Sequence, residues 1–387
     1  MKASILIPTK NGEEYLEEVL QMVFKQKAVF ANKESKENAS FPFDFEVIIV
    51  DSGSKDGTLE IVRKFQKLSS CHSERSEESR NFYNSDDDEI LRYAQDDKGN
   101  RQDEKKCAPQ LRSGGSLKGV KLYQIPPQEF GHGKTRDFAV SKAQGEYFVF
   151  LTQDATPADE NWLKNMVEAF EKDPQIAGVF GRHFPRKECD PFQKKMLIEY
   201  FPNEFGKELT IFQLSDENKQ EEFEKNKGKL IYFSNVNSAI RRAVWKKIPF
   251  QEVEMGEDQF WAKDIILAGY KKAYQPDAAV YHSHNYPIKS WFKRWFDEYR
   301  QHKINQNYVG VSTVFKIPFL TLRLWINDVR YIKSRKEYNF FQKIYWSIWI
   351  FFMDLARFCA EYLGARYEKL PKWMQKRFSM QYELINR

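Results

Sequence analysis

The stretch FEVIIVDSGSKDGTLEIVRKF, residues 45–65, decides the fold class. Its first part, Phe45–Val50, is a continuous apolar run, which is typical of a strand covered on both faces in a parallel sheet. Residues 51–57 have the composition of a turn, and from Thr58 onward apolar side chains recur at helical spacing. A buried strand, a polar turn and an amphipathic helix predict one unit of a doubly wound α/β fold, in which ligands bind at the carboxyl ends of the strands.

More strands of this kind are predicted on either side, and polar residues follow them. Because the carboxyl ends of parallel strands share one edge of a sheet, we expect the polar loops to meet there. Residues 203–229 are polar, and no element is assigned to them. The predicted strands are Ala3–Pro8, Val120–Ile125, Tyr147–Leu151 and one through Val179–Phe180; the predicted helices are Glu13–Gln26, Lys134–Ala143 and one around Trp162. The pattern predicts a Rossmann-like, mostly parallel, doubly wound sheet.

Residues 69–119 interrupt this pattern. They are polar, with clustered charges (SERSEES, DDDE, QDDKGNRQDEKK) and no sustained periodicity. Loops longer than about 15 residues are uncommon inside compact domains. We therefore predict a disordered insertion over 69–119, assign no function to it, and expect a smaller loop at residues 27–44.

Composition limits the function classes. The chain has 387 residues, of which 41% are hydrophobic and 30% charged, so it can bury a full core. Its four cysteines lack metal-like spacing and Met1-Lys2 leads straight into a strand, so we expect free thiols, no signal peptide and a cytoplasmic protein. No RNA- or DNA-binding signature is present, which argues against a nucleic-acid partner. The longest apolar run, Ile344–Met353, is far below the roughly 20 residues of a spanning helix.

The C-terminal region, residues 290–387, differs from the rest in charge. It carries 18 Lys/Arg against 8 Asp/Glu, and it is rich in aromatic residues at helical spacing. A basic, aromatic surface is typical of contact with anionic lipid headgroups, here the inner face of the cell membrane. The alternative is a helical cap that packs on the catalytic domain, and the sequence leaves the two equal.

Six motifs together carry a resemblance to a known family. The chain resembles inverting glycosyltransferase family 2, most of all its bacterial rhamnosyltransferase-like branch, over about Ala3–Asp297 without the inserted segments. The motifs are PTKN (8–11), DSGSKDGT (51–58), FGHGKTR (130–136), LTQDA (151–155), GED (256–258) and VYHSHNY (280–286). The resemblance implies a GT-A fold over residues 1–289, a nucleoside-diphosphate sugar donor and a divalent metal, Mn²⁺ or Mg²⁺.

The predicted substrate-binding residues lie in the loops after the strands. Asp51 is placed to accept hydrogen bonds from the base or ribose, and the family's matching aspartate contacts the base; the alternative is a turn or helix-capping carboxylate. Backbone N–H groups at the start of the helix near Gly133, with Arg136, suit a diphosphate. A Walker A loop is rejected, because Gln128 stands where that motif needs glycine. The predicted set is Pro8, Thr9, Asn11, Asp51, Ser52, Ser54, Asp56, His132, Gly133, Arg136, Gln153 and Trp261.

Asp154, His282 and His284 are the predicted metal ligands. A divalent ion would neutralise the charge that develops on a diphosphate leaving group. The family usually shows D-x-D, but here Thr152 stands at the first position, so a single carboxylate remains. The two histidines stand at i, i+2 after a predicted strand and share one face. In the family a histidine at the place of His282 helps bind metal. The alternatives are an exposed loop aspartate and a surface histidine pair.

Glu257 and Asp258 are the predicted catalytic residues, with Asp258 as general base for the acceptor hydroxyl. Direct displacement of this kind inverts the anomeric centre. The alternative is a pair of acidic residues favoured by the dipole of the helix that they begin. Trp261, in the same helix, is either a core residue or a platform on which a sugar stacks.

The sequence therefore predicts transfer of a sugar, rhamnose from its dTDP form being a candidate. The acceptor would be a hydroxyl of a saccharide or a lipid-linked acceptor in cell-surface polysaccharide synthesis. The alternative is a nucleotide-sugar-binding protein without turnover, which the missing aspartate at Thr152 and the insertion would favour.

Overall fold

The computed structural model describes residues 1–27, 29–31, 40–69, 117–215, 218–253 and 255–382. In this part of the chain a nine-stranded sheet carries helices on both faces, and a two-stranded hairpin lies apart from it. The strands are β1 (Ala3–Thr9), β2 (Val29–Ala31), β3 (Ser40–Pro42), β4 (Phe45–Asp51), β5 (Leu117–Gln124), β6 (Tyr147–Leu151), β7 (Thr156–Pro157), β8 (Ile176–Phe184), β9 (Thr210–Phe212), β10 (Asn237–Arg241) and β11 (Lys271–Tyr281).

The helices alternate with strands up to β11 and then continue alone to the C-terminal end of the described residues. They are α1 (Leu16–Phe24), α2 (residues 58–69), α3 (His132–Lys142), α4 (Trp162–Glu168), α5 (Pro191–Phe205), α6 (Lys219–Ile231), α7 (Arg242–Trp245), α8 (Glu257–Leu267), α9 (Ile288–Gln306), α10 (Lys316–Ser334), α11 (Phe340–Gly364) and α12 (Lys372–Phe378). The predicted α/β fold with a helical C-terminal region is confirmed.

The sheet has two halves of different character. Its strand order is β5-β4-β1-β6-β10-β8-β11-β7, with β9 also paired to β11. From β5 to β6 all pairs are parallel, whereas β10 runs antiparallel to both of its neighbours. The sheet is therefore mixed, and the expectation of a mostly parallel sheet holds for the first half. This half places the ends of β1, β4 and β6 side by side at one edge.

Buried apolar side chains cover both faces of this half. All seven residues of β4 are buried, and alternate ones face opposite layers. Val47 and Ile49 pack in the layer that holds α1 and α4, while Ile48 and Val50 pack in the layer that holds α3 and α8. Burying each such side chain stabilises the fold by about 1.5–3 kcal/mol, which explains why residues 47–50 of this strand are all apolar.

Helix α6 lies inside the polar stretch to which no element was assigned. Only Phe223, Leu230 and Ile231 of its residues are buried. The buried Lys272 of β11 donates through its Nζ to the backbone carbonyls of Lys229 and Tyr232 at the end of this helix. A cation that satisfies the last carbonyls of a helix stabilises it. This contact is tertiary, so the local pattern did not reveal the helix.

The predicted insertion falls between α2 and β5. Ser69 is the last described residue of α2, and β5 begins at Leu117. Residues 70–116 lie outside the described residues, as do residues 28 and 32–39 of the smaller predicted loop. The flanking elements pack on the same sheet: β5 pairs in parallel with β4 and is its edge strand.

The C-terminal region forms a layer of its own. Helix α11 packs along α9 and α10, and Trp291 Nε1 donates to the Met353 carbonyl (3.1 Å). At Gly364 the helices cross closely, because a Cβ there would lie 2.4 Å from the Phe296 carbonyl oxygen. Phe192 of α5 joins the hydrophobic cluster to which Trp291 and Met353 belong, so the region also packs on the α/β part of the chain. No helix among the described residues is long and apolar enough to span a bilayer.

Candidate active site

The loops after β1 and β4 are tied together at the carboxyl edge of the sheet. The Asn11 N–H donates to Ser54 Oγ (2.8 Å), and Asn11 Oδ1 accepts from the Lys55 N–H (2.9 Å). Asn11 has a left-handed backbone (φ 49°), which asparagine adopts more readily than most residues. The structure thus brings Asn11 and Ser54 together, and their contact with a substrate stays a prediction.

Asp51 stabilises the turn in which it lies. Its side chain is fully buried, and Oδ2 accepts from the N–H groups of Gly53 (3.0 Å) and Ser54 (3.1 Å). Oδ1 accepts from the hydroxyls of Ser54 and Thr9. These contacts support a role of Asp51 in its turn, and the contacts of Asp51 and Thr9 with a nucleotide stay a prediction.

The remaining predicted residues of these two loops also shape the edge. Ser52 is 1% exposed and donates through Oγ to the Thr9 carbonyl (3.2 Å), and its contact with a ligand stays a prediction. Asp56 is exposed and accepts from the Thr58 N–H (3.2 Å) at the start of α2. Pro8 is half-buried in β1. For Asp56 and Pro8, substrate contact stays a prediction.

Gln153 joins the loop after β6 to the loop after β1. Its Oε1 accepts from the Lys10 N–H (2.8 Å) and its Nε2 donates to the Lys10 carbonyl (3.1 Å). Gly12 makes room for this amide, since a Cβ there would lie 2.5 Å from Gln153 Oε1. Gln153 therefore fixes the position of the residue that follows it, Asp154.

Asp154, His282 and His284 converge, as the sequence predicted. His282 Nε2 lies 3.6 Å from Asp154 Oδ1, His284 Nε2 lies 3.5 Å from Asp154 Oδ2, and the two Nε2 atoms are 3.1 Å apart. Each residue offers one ligand atom, and all three atoms lie within 4.8 Å of one another. A carboxylate and two imidazoles suit Mn²⁺ or another divalent transition metal better than Ca²⁺.

The residues around Asp154, His282 and His284 set the protonation states of these side chains and the position of the Asp154 loop. Burial lowers the pKa of His282 to about 4, so its imidazole is neutral at pH 7. Burial alone would raise the pKa of Asp154, but the two histidines outweigh it and keep that pKa below its usual value. Arg186 Nη2 donates to the Asp154 carbonyl (2.9 Å) and Thr156 Oγ1 (2.9 Å), which orients the loop.

Glu257 and Asp258 form an asymmetric acidic pair at the start of α8. Burial alone would raise the pKa of Glu257, but Arg136 lies 2.8 Å from its Oε1 and holds that pKa below its usual value. Burial and the charge of Glu257 raise the pKa of Asp258 to about 7. Two neighbouring carboxyls with divergent pKa values are typical of acid–base sites. Asp258 therefore has the protonation behaviour that a general base needs at neutral pH.

Arg136 and Gly133 hold the acidic pair from the side of α3. The Arg136 guanidinium is 8% exposed and donates to Glu257 Oε1 and to the His132 carbonyl (3.0 Å). A Cβ on Gly133 would lie 3.1 Å from the Gln251 carbonyl oxygen and 3.5 Å from Glu257 Cβ. Arg136 thus neutralises Glu257 and Gly133 lets α3 approach α8, while their contact with a diphosphate stays a prediction.

Trp261 is a core residue. It is 0% exposed, its indole N–H donates to the Ile248 carbonyl (2.8 Å), and it packs against Phe233 and Phe250. A sugar cannot reach a ring buried on all sides. Of the two alternatives for Trp261, the sugar-stacking platform is therefore wrong.

Adjacent loops connect the metal cluster to the acidic pair. The Thr152 N–H donates to the Val236 carbonyl (3.3 Å), and the neighbouring Asn235 N–H donates to Asp258 Oδ2 (3.0 Å). Asn235 Nδ2 also donates to Glu257 Oε1 (3.0 Å). The candidate base and the candidate metal ligands are thus positioned by one hydrogen-bonded framework.

Three contributors escaped sequence reasoning: Arg186, Asn235 and Arg294. Arg186 lies two residues after the buried strand β8, at the same edge of the sheet as the end of β4, and this position was the available signal. Asn235 precedes β10 without any motif. Arg294 lies on α9, pairs with Glu298 (2.6 Å), and its charge helps to lower the pKa values of His282 and His284. The sequence placed that helix outside the site.

A family model described as Glycosyl transferase family 2 matches residues 4–83 and 102–248, which is more than half of the chain. The chain belongs to this family. A family 2 member of this kind is a glycosyltransferase, so the enzymatic prediction is confirmed. The alternative of a binding protein without turnover is not adopted.

Two curated relatives cover most of this family 2 glycosyltransferase. The O-antigen chain rhamnosyltransferase RfbN of Salmonella typhimurium is 26% identical over 387 residues, 98% of this chain and 95% of the relative. The O-antigen chain rhamnosyltransferase WbaN of Salmonella anatum is 31% identical over 264 residues, 66% of this chain and 76% of the relative.

Solved structures of similar proteins include a mannosyltransferase, PcManGT of Pyrobaculum calidifontis, in complex with GDP-Man and Mn²⁺. It is 15% identical, with a TM-score of 0.49, over 95% of this chain and 88% of the other. The S. aureus TarS 1–349 structure in complex with UDP-GlcNAc has a TM-score of 0.45 at 17% identity, over 95% of this chain and 92% of the other.

Proposed function

We propose that this enzyme transfers rhamnose from a nucleoside-diphosphate donor, dTDP-rhamnose, to a hydroxyl of a saccharide or lipid-linked acceptor. The product would enter a cell-surface polysaccharide. The relatives that support this proposal, RfbN and WbaN, are both O-antigen chain rhamnosyltransferases. The observation that carries the chemistry is the cluster of Asp154, His282 and His284 in one framework with Asp258.

The leaving diphosphate needs its charge neutralised. Asp154, His282 and His284 would hold a divalent ion, Mn²⁺ or Mg²⁺, which stabilises developing negative charge when it is bound. Imidazole ligands beside a carboxylate favour Mn²⁺. Arg186 and Gln153 keep the aspartate loop in place, so little reorganisation accompanies the reaction.

The acceptor hydroxyl needs a base. Asp258, with its pKa near 7, would take the hydroxyl proton as the oxygen attacks the anomeric carbon opposite the departing diphosphate. This displacement inverts the anomeric centre. Glu257 stays ionised beside Arg136, and its charge keeps the pKa of Asp258 high.

The test is a thermal-shift screen of dTDP-, UDP- and GDP-sugars, with and without Mn²⁺ or Mg²⁺. We expect one donor class to raise Tm only with metal, since a donor at a hundred times its Kd stabilises by about 2.7 kcal/mol. Asp154→Ala should abolish this shift. Asp277→Ala, an exposed carboxylate on β11, is the matched control and should retain it. A Tm shift that is the same without metal and in Asp154→Ala would contradict the proposal.

We also propose that the α10–α11 hairpin lies on the inner face of the cell membrane. Both helices carry large exposed apolar side chains, such as Phe319 (66%) of α10 and Phe341 (79%) of α11. Residues 314–352 carry seven Lys/Arg against two Asp/Glu. An apolar helical face with basic residues beside it is suited to anionic headgroups.

Flotation with vesicles of phosphatidylglycerol and phosphatidylcholine tests this surface. The double variant Phe319→Ser/Phe341→Ser should float markedly less than wild type. Trp373→Ser, an equally exposed aromatic on α12, is the control and should float as wild type does. If wild type does not float, or if the double variant instead dissociates a dimer, the face is not a membrane surface.

A further inference from the structure

A cavity of about 480 Å³ lies between the catalytic domain and the C-terminal region. On the catalytic side its walls include Lys10, from the loop after β1, and His132 at the start of α3. On the other side they include Lys293 of α9, Lys376 of α12 and the segment 379–382. No acidic residue is among the described residues that line it.

The segment 379–382 is anchored to α9. The N–H groups of Met380 (2.7 Å) and Gln381 (3.2 Å) both donate to Asp297 Oδ2. Before them, Phe378 packs edge-on against Phe292, with ring centroids 5.2 Å apart. The wall that the C-terminal region contributes is therefore held in place by specific contacts.

Three ammonium groups line this space. Lys293 Nζ donates to the Ser379 carbonyl (3.3 Å), and no ion pair is formed by Lys10, Lys293 or Lys376 in the part of the chain that the structure describes. Three cations around one cavity without a counter-charge repel one another. An anion placed between them would remove that repulsion.

The cavity borders the candidate active site on the donor side. The backbone of Lys10 is held by Gln153, the residue before Asp154. Pro127, which lines the cavity, lies against the turn after β4. A Cβ on Gly53 in that turn would lie 2.7 Å from Pro127 Cγ. A group bound there would lie beside both nucleotide-side loops.

We propose that this cavity binds a diphosphate group, that of the donor nucleotide, and that Lys293 and Lys376 make the C-terminal region part of the donor site. The inference rests on the proposed function, because it assumes a nucleoside-diphosphate donor. Lysine binds phosphate as a point charge that needs no fixed geometry, which suits side chains contributed by three separate elements. Lys376 is exposed and Lys293 is half-buried, so a ligand that enters from solvent can contact both side chains.

The test is titration calorimetry of the full chain, with Mn²⁺ present throughout, using dTDP, with UDP and GDP as alternatives and farnesyl diphosphate as a second source of diphosphate. We expect Lys376→Ala and Lys293→Ala each to weaken diphosphate binding about tenfold, the loss of one charged hydrogen bond. The effect should shrink at high salt, and Lys376→Arg should restore affinity. A merely structural lysine would show neither response.

Lys372→Ala, exposed on the same helix but outside the cavity, is the control and should bind as wild type does. Loss of nucleotide binding assigns the cavity to the donor, and loss of farnesyl diphosphate binding alone assigns its diphosphate site to a lipid-linked acceptor. If every variant has the wild-type Tm and wild-type affinity for all ligands, the inference is overturned while the proposed function stands. Failure of wild type to bind any nucleotide overturns both.

Discussion

The loops after β1 and β4 differ from the loops around Asp154 and Asp258 in how their carboxylates are satisfied. Asp51 is buried with four donors around its two oxygens, all from its own turn or the adjacent strand. Asp154 faces two imidazoles, and Asp258 accepts from backbone N–H groups beside another carboxylate. Satisfied carboxylates shape a site, whereas carboxylates left with a titratable or ligating partner can do chemistry in it.

Asp258→Asn tests most directly whether Asp258 does chemistry rather than only shaping the site. The amide keeps the shape and can still accept from the Asn235 N–H, but it cannot take a proton. We expect kcat to fall about 10²–10⁴-fold, the usual contribution of a general base, with donor binding unchanged. Initial rates with the identified donor measure this. A fall in kcat of less than tenfold would favour the alternative, in which Asp258 only interacts with the dipole of the helix that it begins.

His282→Ala should have the next largest effect. His282 is the more buried of the two histidines, with a side chain 16% exposed against 39% for His284. We expect Mn²⁺ affinity to fall at least tenfold in His282→Ala and less in His284→Ala, because solvent can replace the exposed ligand more easily. Calorimetric titration with Mn²⁺ measures both, and equal losses would contradict the ranking.

The pH dependence of kcat/KM and of stability gives a further test of the role of Asp258. Since the base must be ionised, kcat/KM should rise about tenfold per pH unit below about 7 and level off above it. The raised pKa of Asp258 means that the folded state binds more protons, so stability falls as pH rises towards 7. The rate trend should be absent from Asp258→Asn, and the stability trend should be weaker there, because Asp137 and Asp354 also have raised pKa values, about 6 and about 8; rates and urea unfolding measure the two trends. A profile that is flat between pH 5 and 8 would refute the assignment.

Asp51→Asn should have the smallest effect on turnover and a clear effect on stability. The amide nitrogen would face donors where an oxygen now accepts, so we expect the free energy of unfolding to fall by about 2 kcal/mol. The folded fraction should keep kcat within a few-fold of wild type. Urea denaturation and rates at low temperature separate the two. A large loss of kcat with unchanged stability would instead support a direct contact of Asp51 with the nucleotide.

Much of the catalytic edge could be predicted from the sequence. The strands β1, β4 and β6 are mostly apolar and are followed by polar residues, and both signals are local. Helix α6 was missed because its capping contact with Lys272 comes from a distant strand. The pairing of Arg136 with Glu257 was not predicted, because the two residues lie 121 positions apart in the chain. Local patterns report what a residue type favours and carry no information on which partner it meets.

The sequence by itself determined the α/β class and the family, and it singled out Asp154, His282 and His284, because periodicity and motif order are properties of the chain. Only the tertiary structure decided that Trp261 is core, that Arg136 pairs with Glu257, and that residues of α9 and α12 line one cavity with Lys10. The physical reason is that burial and charge pairing depend on residues brought together from distant parts of the chain. The same residue types have different roles according to the partners that the fold supplies.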